Sequence, residues 1–197
     1  MRRLGIGAAI LLAAVACGTA QNYLDPSGPM YETRQAAPLK ARPPRSLRVV
    51  TFNIENAVHV DRAIAVLKET DSLRDLDLLA LQEMDAPGVE KIALALGLNS
   101  LYIPSAVTPK TNKDIGCALL SPWPLTEPRK VMLPHGARAT GLRRAAVGAT
   151  LLLGERHLRV YAVHLPAPFG ISGGDLHDEL QTLFADADAS PDSEERS

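Results

Sequence analysis

The sequence predicts a mixed α/β domain, and three observations carry that prediction. Two strand-like runs, LRVVTFN and DLLALQE, flank a helix-like segment within about 30 residues, the span of a βαβ crossover. Further on, RAAVGATLLL and HLRVYAVHL enclose Gly154-Glu155-Arg156 and read as an antiparallel hairpin. A composition of 46% hydrophobic and 22% charged residues over 197 positions suits one globular domain.

Each element has its own signal. Leu47 to Asn53 is rich in β-branched and aromatic residues and reads as a strand. Val60, Ala63, Ile64 and Leu67 fall at i, i+3, i+4 and i+7, the stripe of an amphipathic helix. The run DLLALQE is apolar at consecutive positions, as in a strand covered on both faces. Asp85 then suits a helix cap, with Pro87 in the first turn, Val89, Ile92, Ala93 and Leu96 as the buried stripe, and Gly97 as terminator. Strands are expected at about Leu98 to Pro104 and Ile115 to Ser121, then the hairpin. A last helix is expected near Asp175 to Ala187, with Leu176, Leu180 and Leu183 on one face. The domain thus spans 47–188, with 189–197 expected to be a disordered acidic tail.

The N-terminus reads as a targeting segment. Residues 1–17 begin with Arg2 and Arg3, continue through an apolar run from Leu4 to Ala16, and end in small residues, the layout of a secretory signal. That run is shorter than the roughly 20 apolar residues needed to span a bilayer. Cys17, followed by Gly18, suits lipidation as in a bacterial lipoprotein, whereas Ala14-Val15-Ala16 suits ordinary signal cleavage. Either reading implies export: a membrane-anchored lipoprotein of the cell envelope, or a periplasmic or secreted protein. Residues 18–46, rich in Pro and polar residues, read as a flexible linker. If Cys17 is lipidated or removed, Cys117 has no partner, so a disulfide framework is not expected. Cys117 lies in an apolar run and reads as a core residue rather than a nucleophile.

Charge narrows the function classes. A formal net charge of −1 gives no support to a broad basic surface that would steer a polyanion. Aromatic residues make up 4% of the chain, which gives little support to a base-stacking platform.

The acid at the end of a core strand asks for an explanation. Strands joined by a helical crossover are parallel, so Asn53 and Glu83 would end at the same sheet edge, on strands about 5 Å apart. Ligands of open α/β sheets bind outside the carboxyl ends of the strands. An amide oxygen and a carboxylate there are hard donors suited to Mg²⁺, which keeps several of its waters. Taken singly, Asn53 reads first as an Asx turn and Glu83 as a solvated carboxylate; their joint placement on neighbouring strands favours the shared site. Along VYAVHLPAP, Leu158, Val160, Ala162 and His164 share one face by the two-residue period. His164 therefore continues an inward row, either as a satisfied core histidine or as an imidazolium that donates to phosphate from both nitrogens.

These stretches resemble the endonuclease/exonuclease/phosphatase superfamily, with its deoxyribonuclease I-like fold. LRVVTFNIE is similar to its first motif, with Asn53 at the metal-site asparagine, and DLLALQE to its second, with Glu83 at the metal-binding glutamate. IGCALLSPWPL is similar to a further strand, with Cys117 where Asn is common. Arg143 or Arg144 matches the Arg that opens the next strand, and VYAVHL matches the strand of the catalytic His, here His164. The resemblance implies a four-layer αββα sandwich, with two β-sheets flanked by helices. It also implies Mg²⁺-dependent hydrolysis of phosphate esters, Mn²⁺ or Ca²⁺ being further ions to weigh. Arg143 and Arg144 would contact substrate, although a solvated basic loop is the readier explanation of them.

One departure bears on activity. The Gly-Asp-x-Asn and Asp-His motifs that follow the His strand in this family are not found in this sequence, so the second-half strands are expected to be missing. An apolar sheet face and an open edge should then be exposed. The leading expectation is a monomeric phosphoesterase, inactive or weak as this chain, whose substrate is a nucleic acid, a phospholipid or a small phosphate ester. The alternative is a non-catalytic remnant or binding module of the same fold.

Overall fold

Two sheets form because the chain makes two kinds of connection: one helical crossover that keeps neighbouring strands parallel, and tight turns that reverse direction. The computed structural model describes residues 19–34, 45–109, 111–166 and 172–189. Its elements are β1 (Gln21–Asn22), β2 (Tyr31–Thr33), β3 (Val49–Asn53), α1 (Val60–Glu69), β4 (Leu78–Met84), α2 (Ala86–Leu96), β5 (Asn99–Thr108), β6 (Lys113–Ser121), β7 (Leu125–Gly136), β8 (Arg143–Leu153), β9 (Arg156–Ala162) and α3 (Gly173–Asp188). The first sheet runs β1-β5-β6-β4-β3, with β2 also on β5, and the second runs β7-β8-β9.

The crossover β3-α1-β4 makes β3 and β4 parallel neighbours, with Asn53 opposite Gln82. β4 is apolar from Leu78 to Leu81 because it is sandwiched: Leu79 and Leu81 pack with the helix residues Val60, Ala63, Leu67, Val89, Ile92 and Ala93. Its alternate residues Leu78 and Ala80 pack instead with Val147, Ala149, Leu151, Val160 and Ala162 of the second sheet. On the far side of that sheet α3 lies against β7, completing a four-layer αββα sandwich. Asp85 caps α2, its side chain accepting from the Gly88 N–H at 2.9 Å, and Gly97 ends it in the left-handed region at φ 65°.

Several elements differ from expectation. β7 is a twelve-residue strand that the sequence did not signal, since Pro128 and Pro134 interrupt its pattern. Part of the expected linker is instead bound to the domain, for β1 and β2 both pair with β5. That attachment is held by a buried Lys130, whose ammonium donates to the Asp25 and Gly28 carbonyls at 2.9 and 2.6 Å. On α3 the buried residue is Glu179, while Leu176 is exposed. The helix rests on a polar sheet face, where Tyr161 Oη donates to Asp186 at 2.6 Å and Arg129 pairs with the same carboxylate at 3.3 Å. The signal segment 1–17 with Cys17, most of the tail, and residues 35–44 of the linker lie outside the described residues.

The open edges expected from the sequence are present among the described residues. β3 and β9 both end their sheets, and Val49 on β3 is 57% exposed.

β5 and β6 approach closely beside the end of β4, where Gly116 pairs with both Pro104 and Met84. A Cβ at Gly116 would fall 2.2 Å from the Ile103 carbonyl oxygen and 2.7 Å from Pro104 Cα. Gly116→Ala should therefore lower stability by about 1–3 kcal/mol, or more, through overpacking against backbone. Urea denaturation reads this directly, and an unchanged midpoint would show that β6 yields freely there.

Candidate functional site

Glu83 reaches the rim because β4 breaks its own period. Residues 79 and 81 face the helices, so an unbroken strand would send residue 83 the same way. Instead Glu83 adopts φ 57°, and the β4–β6 ladder shifts register between Leu81 and Met84. Met84 thereby takes the helix-facing place and is fully buried beside Leu79 and Leu81. The bulge is anchored from behind by Tyr102, whose buried hydroxyl donates to the Met84 carbonyl at 2.8 Å. A positive φ at a non-glycine residue costs of order 1–3 kcal/mol and persists only where surrounding contacts over-determine it.

Those contacts assemble the site. Asn53 Nδ2 donates to Glu83 Oε1 at 3.2 Å across the parallel pair, and the Asn56 N–H donates to Glu83 Oε2 at 3.2 Å. Asn53 Oδ1 accepts from the Glu55 N–H at 2.9 Å, so the Asx turn and the rim contact coexist in one side chain. Glu55, Asn56 and Ala57 are three successive residues with φ of 41°, 57° and 56°, a left-handed turn that brings the Asn56 N–H to the carboxylate.

His164, just beyond β9, stands opposite, with Nδ1 3.7 Å from Glu83 Oε1. Its side chain is 24% exposed and that of Glu83 20%, so both border solvent while resting on buried residues. Arg144 Nη1 lies 2.8 Å from His164 Nδ1. A guanidinium has no acceptor, so Nδ1 must accept and the ring proton sits on Nε2. Burial lowers the basicity of His164, Arg144 lowers it further, and Glu83 opposes both. The sequence reading of an imidazolium donating from both nitrogens is thereby corrected: Nδ1 is already committed to Arg144.

The two candidate arginines separate. Arg144 joins the cluster, whereas Arg143 donates from Nη2 to the Pro134 carbonyl at 2.8 Å and from its backbone N–H to Asn22 Oδ1 at 2.8 Å. Cys117 is buried below His164, where burial pushes its thiol up to about 12, and it takes a hydrogen bond from the His164 backbone N–H. It stays a protonated core residue.

With this geometry, comparison with known proteins is decisive on family. The endonuclease/exonuclease/phosphatase family model matches residues 50–193. The chain belongs to that family. Its fold is shared with an endonuclease/exonuclease/phosphatase family protein from Leptotrichia buccalis C-1013-b (TM-score 0.58, 14% identity, 71% of this chain and 62% of that one). It is shared too with the human Nocturnin catalytic domain bearing a sulfate anion (0.57, 20%, 83% and 63%) and sphingomyelinase C from Streptomyces griseocarneus (0.52, 18%, 75% and 61%). The chain therefore spans somewhat under two thirds of each of these structures. No curated protein matches it in sequence.

Enzymes of this family generally depend on a divalent metal. Among the described residues no group of three or more His, Cys, Asp or Glu side chains is arranged to hold one. Glu83 and Asn53 nevertheless bring a carboxylate and an amide side chain to one rim, residue types that suit a hard cation retaining most of its waters, although here the Asn53 N–H meets the carboxylate and its oxygen accepts from the Glu55 N–H.

His164 also makes a checkable contribution to stability in metal-free protein. Its folded pKa lies below the ordinary value, so between the two the unfolded chain binds the proton first and stability rises with pH. The contribution is complete above about pH 6.5 and is lost as pH falls below it. Denaturation midpoints measured with chelator from pH 5 to 7.5 should show this slope in the native protein and a shallower one in His164→Gln. Equal slopes would place the titration elsewhere.

Proposed function

We propose that this chain is the part of a metal-dependent phosphate-ester hydrolase that carries Asn53, Glu83, His164 and Arg144. The observation that supports the reading best is the 3.2 Å hydrogen bond from the Asn53 amide N–H to the Glu83 carboxylate, which shows two side chains thirty positions apart brought to one sheet rim by a parallel strand pair.

Hydrolysis replaces the ester oxygen on phosphorus with water and releases an alcohol, while negative charge builds on the non-bridging oxygens. Glu83 and Asn53 would hold the divalent ion, which supplies electrostatic stabilisation of that charge when bound. His164, with its proton on Nε2, donates to a phosphoryl oxygen from the solvent-facing side of the ring. Arg144 keeps Nδ1 occupied, so the donor nitrogen is always the one facing substrate, and its positive charge favours the phosphate. The Asn56 N–H and Asn53 amide hold the Glu83 carboxylate at the rim, limiting its reorganisation between turnovers. Mg²⁺ is the ion this donor set suits best, and an exported, envelope-associated setting is proposed from the N-terminal signal alone.

A second reading, a phosphate-ester binding module without turnover, is favoured by one observation: Glu83 is the only carboxylate among the described residues found in contact with Asn53 and His164. Assaying the purified chain with Mg²⁺ against bis-nitrophenyl phosphate, nicked plasmid and sphingomyelin separates the two. Under the hydrolase reading, turnover is seen with at least one of them and Glu83→Ala lowers it by about 100-fold or more, since outer and inner metal-site residues each matter at that scale. Turnover that survives Glu83→Ala would remove this rim from the chemistry.

A further inference from the structure

We propose that the N-terminal strap turns the face bearing Glu83 and His164 towards a lipid bilayer, and that the phosphate ester received there is a phospholipid headgroup. The strap enters the domain beside the site. The Ala20 N–H donates to the Thr140 carbonyl at 2.9 Å, in the turn between β7 and β8. Asn22 grips the same turn twice, donating from Nδ2 to the Gly141 carbonyl at 2.9 Å and accepting the Arg143 backbone N–H at 2.8 Å. The next residue, Arg144, reaches His164, which stands 3.7 Å from Glu83. Ala20 also packs with Ala106, Ile115, Ala137 and Leu142, a small apolar cluster at the point of entry. From there the strap runs away from the site along β5, with Gln21 opposite Val107 and Thr33 opposite Ser100. The buried Lys130 holds its middle through the Asp25 and Gly28 carbonyls.

That course fixes an orientation that a loose linker would not. A flexible tether over residues 18–46 would let the domain wander about 30 Å and face any direction. With Ala20 pinned, Cys17 is three positions away, so a lipidated Cys17 has its backbone within about 11 Å of Ala20. The bilayer surface is then nearest to the end of the domain that carries the site. The β8–β9 turn at Glu155 is at the other end of β8, about 33 Å away. Exposed residues at the near end suit an interface: Arg138 and Ala139 at the tip of the β7–β8 turn, and Val58, 63% exposed, two positions beyond the Asn56 that holds Glu83. Asp175 and Asp178 at the start of α3 carry the opposite charge at this end, so the anchor rather than charge sets the contact. A phosphate ester in the same leaflet meets the rim at high effective concentration, whereas a dissolved nucleic acid or small ester gains nothing from the arrangement.

The orientation rests on the N-terminal signal read from the sequence; the substrate rests also on the phosphoesterase reading above, and separate measurements test the two. Both use the full exported chain in phosphatidylcholine vesicles, with mass spectrometry reading the lipid on Cys17. For orientation, the vesicles contain a lipid with a nitroxide on its headgroup. Cys117 is buried, so a bimane label enters only Ala139→Cys or Glu155→Cys, both at exposed turn positions. Bimane at 139 should be quenched several-fold more than at 155. Equal quenching, stronger quenching at 155, or a mature chain without lipid on Cys17 overturns the proposal. For the substrate, in unlabelled vesicles with Mg²⁺, water should add to the phosphorus of phosphatidylcholine and one of its two alcohols should leave. This hydrolysis should run about 100-fold faster in the chain's own vesicles than in protein-free vesicles mixed with them. Turnover of bis-nitrophenyl phosphate with none of phosphatidylcholine overturns the substrate claim. No turnover of either, with position 139 still quenched, sinks the hydrolase reading and leaves the orientation standing.

Discussion

The site depends on a single slip in the pleat of β4. A buried strand alternates strictly, and that alternation would send Glu83 into the helix layer with Leu79 and Leu81. A charge there would be unpaired in apolar surroundings, at a cost far above that of a left-handed residue. The bulge resolves the conflict by giving the helix-facing place to Met84 and the rim to Glu83. Gly116 and Tyr102 make the slip possible, one by lacking a Cβ at the close approach and the other by holding the Met84 carbonyl.

From that slip the rest follows by proximity. Parallel pairing supplies Asn53 and the left-handed turn supplies the Asn56 N–H, so the carboxylate is gripped by the strand and the loop that precede α1. The second sheet supplies Arg144 from β8, and the segment just beyond β9 supplies His164. The site is therefore a seam between sheets. The apolar contacts of Ala80, Cys117, Leu119, Val147 and Ala162 hold its two halves at a fixed distance.

Much of this was legible along the chain. The β3-α1-β4-α2 order, the Asp85 cap, the Gly97 terminator and the β8–β9 hairpin each rest on local chemistry that a short window displays. Other features were not legible for equally physical reasons. β7 was hidden because its prolines break the period while its bulges tolerate them, with register shifts at both Thr126/Arg129 and Met132/Gly136. The β1 and β2 attachments depend on a lysine more than a hundred positions away, and no local pattern announces that. Glu179 lies in a helix whose apolar residues suggested a different buried face, because the surface beneath it is polar.

By itself the sequence determined the family and the order of most core elements, and it singled out Asn53, Glu83 and His164, which the structure brings to one rim, since motif, period and cap are properties of neighbours along the chain. Tertiary structure alone decided which arginine lies beside His164, which imidazole nitrogen faces that arginine, and that the buried residue of α3 is a glutamate. Arg143 and Arg144 are adjacent and chemically identical, so only the register of β8 against β7, and the reach to His164, distinguishes them. Charges that meet across sheets are set by packing, and packing has no one-dimensional signature.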